Sequence, residues 1–281
     1  MKKTFLLGVG AQKAGTTWLY EYLHGHPNAD LGFMKEYHIF DTLYVPECRH
    51  WLNTYVQTAL TSLQKDPTLQ DKSNYVFKLL DFYRAPTNYF DFFEHLARSS
   101  ASLQLTGDIT PSYSALDSLH FKYIRSELIA RGFQVRVVFL MRDPVERAIS
   151  GVRMRLRTRG EPTTAEIENE WLRTYYASMA YQIRARYDRT ITNLEKVFEP
   201  SEIKYCFYEE FFNRSMIEEL CLFFDIPLHE PDFTKEFNVS RTSHVIEQSL
   251  RHEVYEFYKP VYAFIEQRFG QRITTELWKQ Y

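Results

Sequence analysis

Gly8-Val9-Gly10-Ala11-Gln12-Lys13-Ala14-Gly15-Thr16-Thr17-Trp18 is the stretch on which the reading of the chain turns. The apolar run at 5–9 precedes it and reads as a short buried strand. Residues 16–24 follow with helical character and stop near Gly25 and Pro27. A glycine loop between a strand and a helix lines up backbone N–H groups with a helix N-terminus, which makes a cradle for an anion. Gly15 allows close approach, Thr16 and Thr17 offer hydroxyls, and Ala14 adds no bulk. The nearest nucleotide-binding pattern is GxxxxGK[ST]. Gly10 and Gly15 keep its spacing, but Thr16 stands where the lysine belongs, and the cation is moved upstream to Lys13. A tight strand-to-helix turn without a ligand is the plain structural alternative.

Outward from the loop, strands and helices alternate. Residues 134–141 (QVRVVFLM) carry the strongest strand signal, and Pro144 opens a helix running through Ala148 and Arg155. A further strand is expected at 203–208 and a helix around 216–224, ending before Pro227. Helical periodicity marks 167–198 and 252–269, whereas 49–97 is ambiguous and mostly helical. Short, wholly apolar strands alternating with helices predict an α/β fold: a P-loop-like central parallel sheet with helices on both faces. The 281 residues contain no repeat, low-complexity tract or obvious linker. The chain therefore reads as one domain, 1–281, with 49–100 as a candidate acceptor-shaping insertion.

Composition narrows the function. With 44% hydrophobic and 25% charged residues, the chain is neither collagen-like nor disordered. A net charge of −2 argues against a nucleic-acid partner. Between Arg131 and Arg189, however, twelve arginines stand with no lysine and seven acidic residues. An arginine-only surplus suits bidentate recognition of phosphate or sulfate, although a solvated helical face would also produce it. Cys48, Cys206 and Cys221 form no CxxC pair and no cluster at zinc spacing, so no metal is implied and a reducing compartment is expected. Met1-Lys2-Lys3 before the first strand imitates a short secretory signal, but the apolar run is brief and Lys13 follows closely. No apolar stretch is long enough to span a membrane, and a cytoplasmic location is the expectation.

The string QKAGTTWLYEYLHGHP resembles the 5′-phosphosulfate loop of sulfotransferases that use 3′-phosphoadenosine 5′-phosphosulfate (PAPS), above all the heparan-sulfate-type carbohydrate enzymes. The resemblance implies that Lys13 contacts the oxygen bridging phosphate and sulfate. It also implies that Gly15, Thr16 and Thr17 hold the 5′-phosphate. Trp18 matches a tryptophan that stacks on adenine in the cytosolic branch, with a core role as the alternative.

Arg142-Asp143-Pro144-Val145-Glu146-Arg147-Ala148-Ile149-Ser150 resembles the family's 3′-phosphate motif, RDPxxRxxS. The match assigns Arg142 and Ser150 to that phosphate and leaves Arg147 as an ion-pairing structural residue. An arginine at a strand's carboxyl end also lies where open α/β sheets bind ligands. Phe207-Tyr208-Glu209-Glu210 resembles the YED segment, whose tyrosine approaches adenine. Asn238-Val239-Ser240-Arg241 resembles a loop closing over the nucleotide, which points to Arg241.

Lys35-Glu36-Tyr37-His38-Ile39-Phe40-Asp41 resembles the segment that carries the general base in the heparan-type branch. It assigns Glu36 as base, with His38 lining the same site. A histidine base, as in the cytosolic branch, is the mechanistic rival. Gly107-Asp108-Ile109-Thr110-Pro111-Ser112-Tyr113 resembles EKTPxYF, but Ile109 stands where those enzymes carry a lysine, which argues against a heparan-like acceptor. Asp108 is open between orienting the acceptor and a turn or cap role. The implied activity is sulfuryl transfer from PAPS to a hydroxyl of a carbohydrate or other small acceptor, without a metal. A P-loop kinase or NTPase, and a non-catalytic nucleotide- or polyanion-binding protein, are the alternatives.

Overall fold

A computed structural model describes residues 2–65, 74–235, 237 and 244–278. Four strands, β1 (Thr4–Gly10), β2 (Leu105–Ile109), β3 (Gln134–Met141) and β4 (Ile203–Phe207), form one parallel sheet in the order β2-β1-β3-β4. Every residue of β1 and β2 is buried, which requires cover on both faces of the sheet. Helices supply it: α1 (Thr16–His24), α2 (Ile39–Tyr44), α3 (His50–Lys65), α4 (Tyr75–Arg84), α5 (Thr87–Arg98) and α6 (Ser118–Ala130) precede β3. After β3 come α7 (Pro144–Arg159), α8 (Ala165–Tyr175), α9 (Met179–Gln182) and α10 (Tyr187–Glu195), and after β4 come α11 (Arg214–Phe224) and α12 (Gln248–Phe269). The α/β expectation holds, as do the strands around 5–9, 134–141 and 203–208.

One strand went unread, one helical stretch needs amendment, and part of 49–100 joins the scaffold. β2 lies in a stretch, Leu105-Thr106-Gly107-Asp108-Ile109, too short and too polar to announce a strand. The helical periodicity at 167–198 is divided among α8, α9 and α10, because Ser178 is extended and Arg186 leaves helical geometry. Within 49–100, α5 belongs to the scaffold: it lies against β2, and Phe93 meets Phe5 of β1 edge to face at 5.1 Å. Arg241 and its neighbours in 238–243 lie outside the described residues.

Strand order positions the site. The chain leaves β1 to build β2 on one side and returns to build β3 on the other. β1 and β3 therefore flank a switch point, where a crevice opens beyond their carboxyl ends. The glycine loop leaves β1 at this edge, and Arg142 ends β3 beside it.

Candidate active site

The loop is closed by β3. Arg142 donates from Nη1 to the Lys13 carbonyl at 3.1 Å, and its guanidinium lies over the Tyr208 ring at 4.4 Å. Gly15 adopts φ +94°, and a Cβ there would come within 3.3 Å of Phe212 and 3.4 Å of Tyr208. Both the backbone and the space require glycine. Helices α4, α6, α7, α8 and α11 each start on a side chain that accepts first-turn N–H groups: Asn74, Asp117, Asp143, Thr164 and Asn213. Helix α1 starts on Gly15 with no such cap and no acidic residue in its first turn. That end is open to an anion, although α2, α5, α9, α10 and α12 also start without a side-chain cap.

Lys13 is held in the left-handed region at φ 71°, which is uncommon for a residue with a side chain. Burial, helped by the charges of Arg157, Arg142 and Lys35 and opposed by Glu36, lowers its pKa to about 8. A desolvated ammonium ringed by cations is a site short of negative charge, and the Nε of Arg142 is buried without a partner. A phosphosulfate fits this setting. Ser150 is half-buried on α7 and shares a face of that helix with Arg157, two turns further on. Arg147 is 1% exposed and makes no ion pair among the described residues; it donates to the Tyr181 carbonyl at 3.3 Å and lies over that ring. The ion-pair expectation for Arg147 is therefore corrected.

Trp18 has both ring faces covered, by Tyr22 at 5.6 Å and Phe233 at 5.3 Å, and is 6% exposed. Stacking on an adenine would require Phe233 to move away. Tyr208 is half-buried at the crevice under Arg142, with Phe212 against its edge.

The candidate base sits across the crevice in a line of alternating charges. Lys35 Nζ donates to Glu36 Oε1; Glu36 Oε2 is 3.2 Å from His38 Nε2; His38 Nδ1 is 2.7 Å from Asp41 Oδ2. Burial works against ionisation of Glu36, but the hydrogen bond from His38 and the charges of Lys35 and His38 outweigh it and hold the pKa at about 2. Burial would likewise keep His38 neutral, but Asp41 and Glu36 raise its pKa to about 9. These shifts favour the carboxylate form of Glu36 and the imidazolium form of His38 at neutral pH. Glu36 retains 31% side-chain exposure, whereas Asp41 has none, so Glu36 is the more accessible of the two carboxyl groups.

Long-range contacts fix this line. His38 is also left-handed, at φ 54°. Thr110 Oγ1 accepts the N–H of Tyr37 at 3.0 Å and donates to Asp108 Oδ1 at 2.7 Å. Asp108 is fully buried and takes hydroxyls from Tyr89 and Tyr113 as well; burial raises its pKa to about 6. Asp108 thus braces the base segment rather than facing a ligand. Trp51 stacks on the His38 ring at 4.1 Å, and Tyr83 donates to the His38 carbonyl at 2.9 Å. Sequence reasoning missed Asp41, Trp51, Tyr83 and Arg157. Only Arg157 left a signal, inside the arginine-only interval.

A cleft of about 520 Å³ lined by Lys3, Arg98, Arg131 and Phe133 opens at the opposite, amino ends of the strands and is remote from these groups. Among the described residues no cluster of His, Cys, Asp or Glu is arranged to hold a metal, and no helix is long and apolar enough to cross a membrane.

A desolvated lysine on a glycine loop, at the switch point of a parallel sheet, places the chain in a class: an α/β protein with a cationic loop at the carboxyl ends of its strands. The sequence profile of the sulfotransferase family matches residues 6–230, and the chain belongs to that family. The fold is also that of a sulfotransferase from Alicyclobacillus acidocaldarius, at 19% identity and a TM-score of 0.58, covering 95% of this chain and 96% of that one. The sulfotransferase domain from the curacin biosynthetic pathway aligns at 15% identity over 92% of this chain and 97% of that one, with a TM-score of 0.46. No curated protein matches significantly.

Proposed function

We propose that the chain transfers the sulfuryl group of PAPS to a hydroxyl of a carbohydrate or other small acceptor. One observation supports this reading: Lys13 on the glycine loop lies near enough to Glu36 to feel its charge, so the loop cation and the line Lys35–Glu36–His38–Asp41 are neighbours. The α1 N-terminus, Thr16, Thr17 and Lys13 would receive the 5′-phosphosulfate, and Arg142 with Ser150 the 3′-phosphate. Tyr208 would border the nucleotide. Trp18 would keep its place in the wall of the site.

Glu36 takes the hydroxyl proton as the acceptor oxygen bonds to sulfur, and the bond from sulfur to the bridging oxygen breaks with its electron pair on the phosphate. A carboxylate with a pKa of about 2 is a weak base towards a free alcohol. An alcohol already bonding to sulfur is strongly acidic, so proton transfer comes late and the weak base suffices. His38, whose pKa is raised by Asp41 and Glu36, is the poorer base of the two; in this reading it orients Glu36 and is itself oriented by Asp41. Lys13 neutralises the leaving phosphate by an interaction that strengthens as charge develops.

The test compares melting temperatures with adenosine 3′,5′-bisphosphate and with ATP plus magnesium, followed by transfer of labelled sulfate. Stabilisation by the bisphosphate alone is expected. Preference for ATP plus magnesium would point to the kinase reading instead.

A further inference from the structure

Helix α7 presents a second face beside the one that carries Ser150 and Arg157. Arg147, Gly151 and Arg155 are spaced at i, i+4 and i+8, so they form one stripe. The stripe meets Tyr181 of α9. A Cβ on Gly151 would lie 3.3 Å from Cε1 of that ring and 3.5 Å from its hydroxyl. Arg147 lies over Tyr181 at 5.5 Å, and Arg155 lies over both Tyr175 at 5.0 Å and Tyr181 at 5.8 Å. Arg184 completes the group. Among the described residues its side chain donates from Nη1 to the Ala180 carbonyl, within its own segment.

This cluster lacks an acceptor. The Tyr181 hydroxyl and the Nε atoms of Arg147 and Arg184 are buried with no hydrogen-bond partner. Tyr181 itself is only 6% exposed. Among the described residues Arg147, Arg155 and Arg184 make no ion pair, whereas their neighbours Arg153 and Arg251 are matched with Glu168 and Glu146. Burial lowers the Arg184 pKa, and the charges of Arg147 and Arg155 lower it further, against the opposing pull of Cys48 and Asp41. Three guanidinium groups and a phenol hydroxyl, all able to donate and none satisfied by a carboxylate, are costly to hold together unless an anion joins them. The place of the cluster says which anion. Arg184 senses Asp41, the carboxylate that orients His38, and Asp41 Oδ1 is itself buried and unpartnered. Arg184 thus lies near Asp41, and the Arg147–Gly151–Arg155 stripe is on a different face of α7 from the one assigned to the donor.

We propose that Arg155, Arg184 and the Tyr181 hydroxyl, backed by Arg147, form an acceptor subsite for an oxyanion, so that the molecule sulfated here carries a carboxylate or sulfate substituent near its reacting hydroxyl. The inference rests on the sulfuryl-transfer reading for its substrate but on separate residues for its site.

Inorganic sulfate is the probe. The full chain is saturated with adenosine 3′,5′-bisphosphate, so that the donor's phosphate positions are filled, and is then titrated with sodium sulfate against sodium chloride at matched ionic strength. A saturable further rise of about 2–4 °C in melting temperature is expected. General salting effects of sulfate rise without saturation and persist in every variant. Arg184→Met should abolish the saturable component and Tyr181→Phe should weaken it several-fold, each leaving nucleotide affinity within about twofold. Without sulfate, Arg184→Met should melt no lower than the parent, because it removes an uncompensated cation. The proposal is overturned if the saturated protein shows no saturable response to sulfate, if Arg184→Met keeps that response, or if sulfate and nucleotide compete. Failure of the nucleotide to bind would sink the donor assignment instead. Sulfate titration of the free protein, comparing Arg184→Met with Arg142→Ala, would still read the subsite.

Discussion

The two walls of the site, one proposed for the donor and one for the base, are built in different ways. The donor wall consists of the ends of two adjacent strands and the first turns of the elements that follow them: Lys13 to Thr17 after β1, and Arg142 to Ser150 after β3. Its geometry is carried by backbone, with Gly15 at φ +94°, an uncapped α1 and one arginine-to-carbonyl bond. The base wall is a chain of side chains, from Lys35 through Glu36 and His38 to Asp41, braced by Thr110, Trp51 and Tyr83 from distant parts of the sequence. A wall made of backbone tolerates losing one side chain with a graded loss of affinity. A wall made of linked side chains transmits every loss to the base.

The sharpest break of this comparison is Glu36→Gln. The amide preserves shape but cannot take a proton, and a positioned base is worth about 10²–10⁴-fold in rate. Turnover should fall by that factor while affinity for adenosine 3′,5′-bisphosphate stays unchanged by calorimetry. Unchanged turnover would remove Glu36 from the chemistry. Arg142→Ala is the counterpart on the donor wall. Hydrogen bonds to charged groups contribute about 1.5–3 kcal/mol, so affinity for 3′-phosphorylated nucleotide should fall about 10- to 100-fold. Adenosine 5′-phosphosulfate, which lacks that phosphate, should lose far less; equal losses would refute the assignment.

The contrast also explains what the sequence made legible. The donor wall is contiguous, so its string of Lys13, Gly15, Thr16 and Thr17 and its RDPxxRxxS run could be read directly. The strands beneath it were legible for the same reason: β1 and β3 are apolar along almost their whole length. Glu36 and His38 were found through resemblance, but their partner Asp41 was not, because an aspartate one turn into a short helix looks like any solvated carboxylate. Its meaning comes from a fold that buries it fully against His38 and Ser112. β2 escaped notice because its polar member, Asp108, is satisfied by hydroxyls outside the strand, from Tyr89 of α5 and from Thr110 and Tyr113 in the turn that follows. Trp18 was open in the sequence between adenine stacking and a core role, and only the fold shows Tyr22 and Phe233 stacked against it.

Asp41→Asn tests whether the base wall acts as a linked unit. The amide keeps a hydrogen bond to His38 but withdraws the charge that helps raise its pKa to about 9. The basic limb that His38 contributes to the rate profile should move to lower pH, and kcat should fall about tenfold with nucleotide affinity intact. Stability should follow the same sign. His38 is raised above its ordinary 6.5, so its contribution is whole below that pH and fades as pH rises through about 9. Glu36 is depressed below its ordinary 4.5, so its contribution is whole above that pH and fades only as pH falls through about 2. Denaturant titrations of parent and Asp41→Asn should therefore converge above pH 9. Parallel curves across the whole range would mean that Asp41 is merely a packing residue.

The smallest expected effect concerns Lys13, where both walls meet. Its pKa of about 8 puts the protonated, working form in retreat within the assay range. In the free enzyme kcat/KM should therefore decline above about pH 8. A bound phosphosulfate adds negative charge beside the ammonium, raises its pKa and carries the corresponding decline in kcat to higher pH. The cause can be probed at Arg157, whose charge ranks next after burial in lowering the Lys13 pKa. Arg157→Gln should shift the kcat/KM limb upward by less than about one pH unit, since an exposed charge acts through solvent. It should leave the His38 limb in place, because Arg157 belongs to the donor wall. A downward shift would mean that the limb belongs to another group, and a joint shift of both limbs would mean that the two walls titrate as one unit.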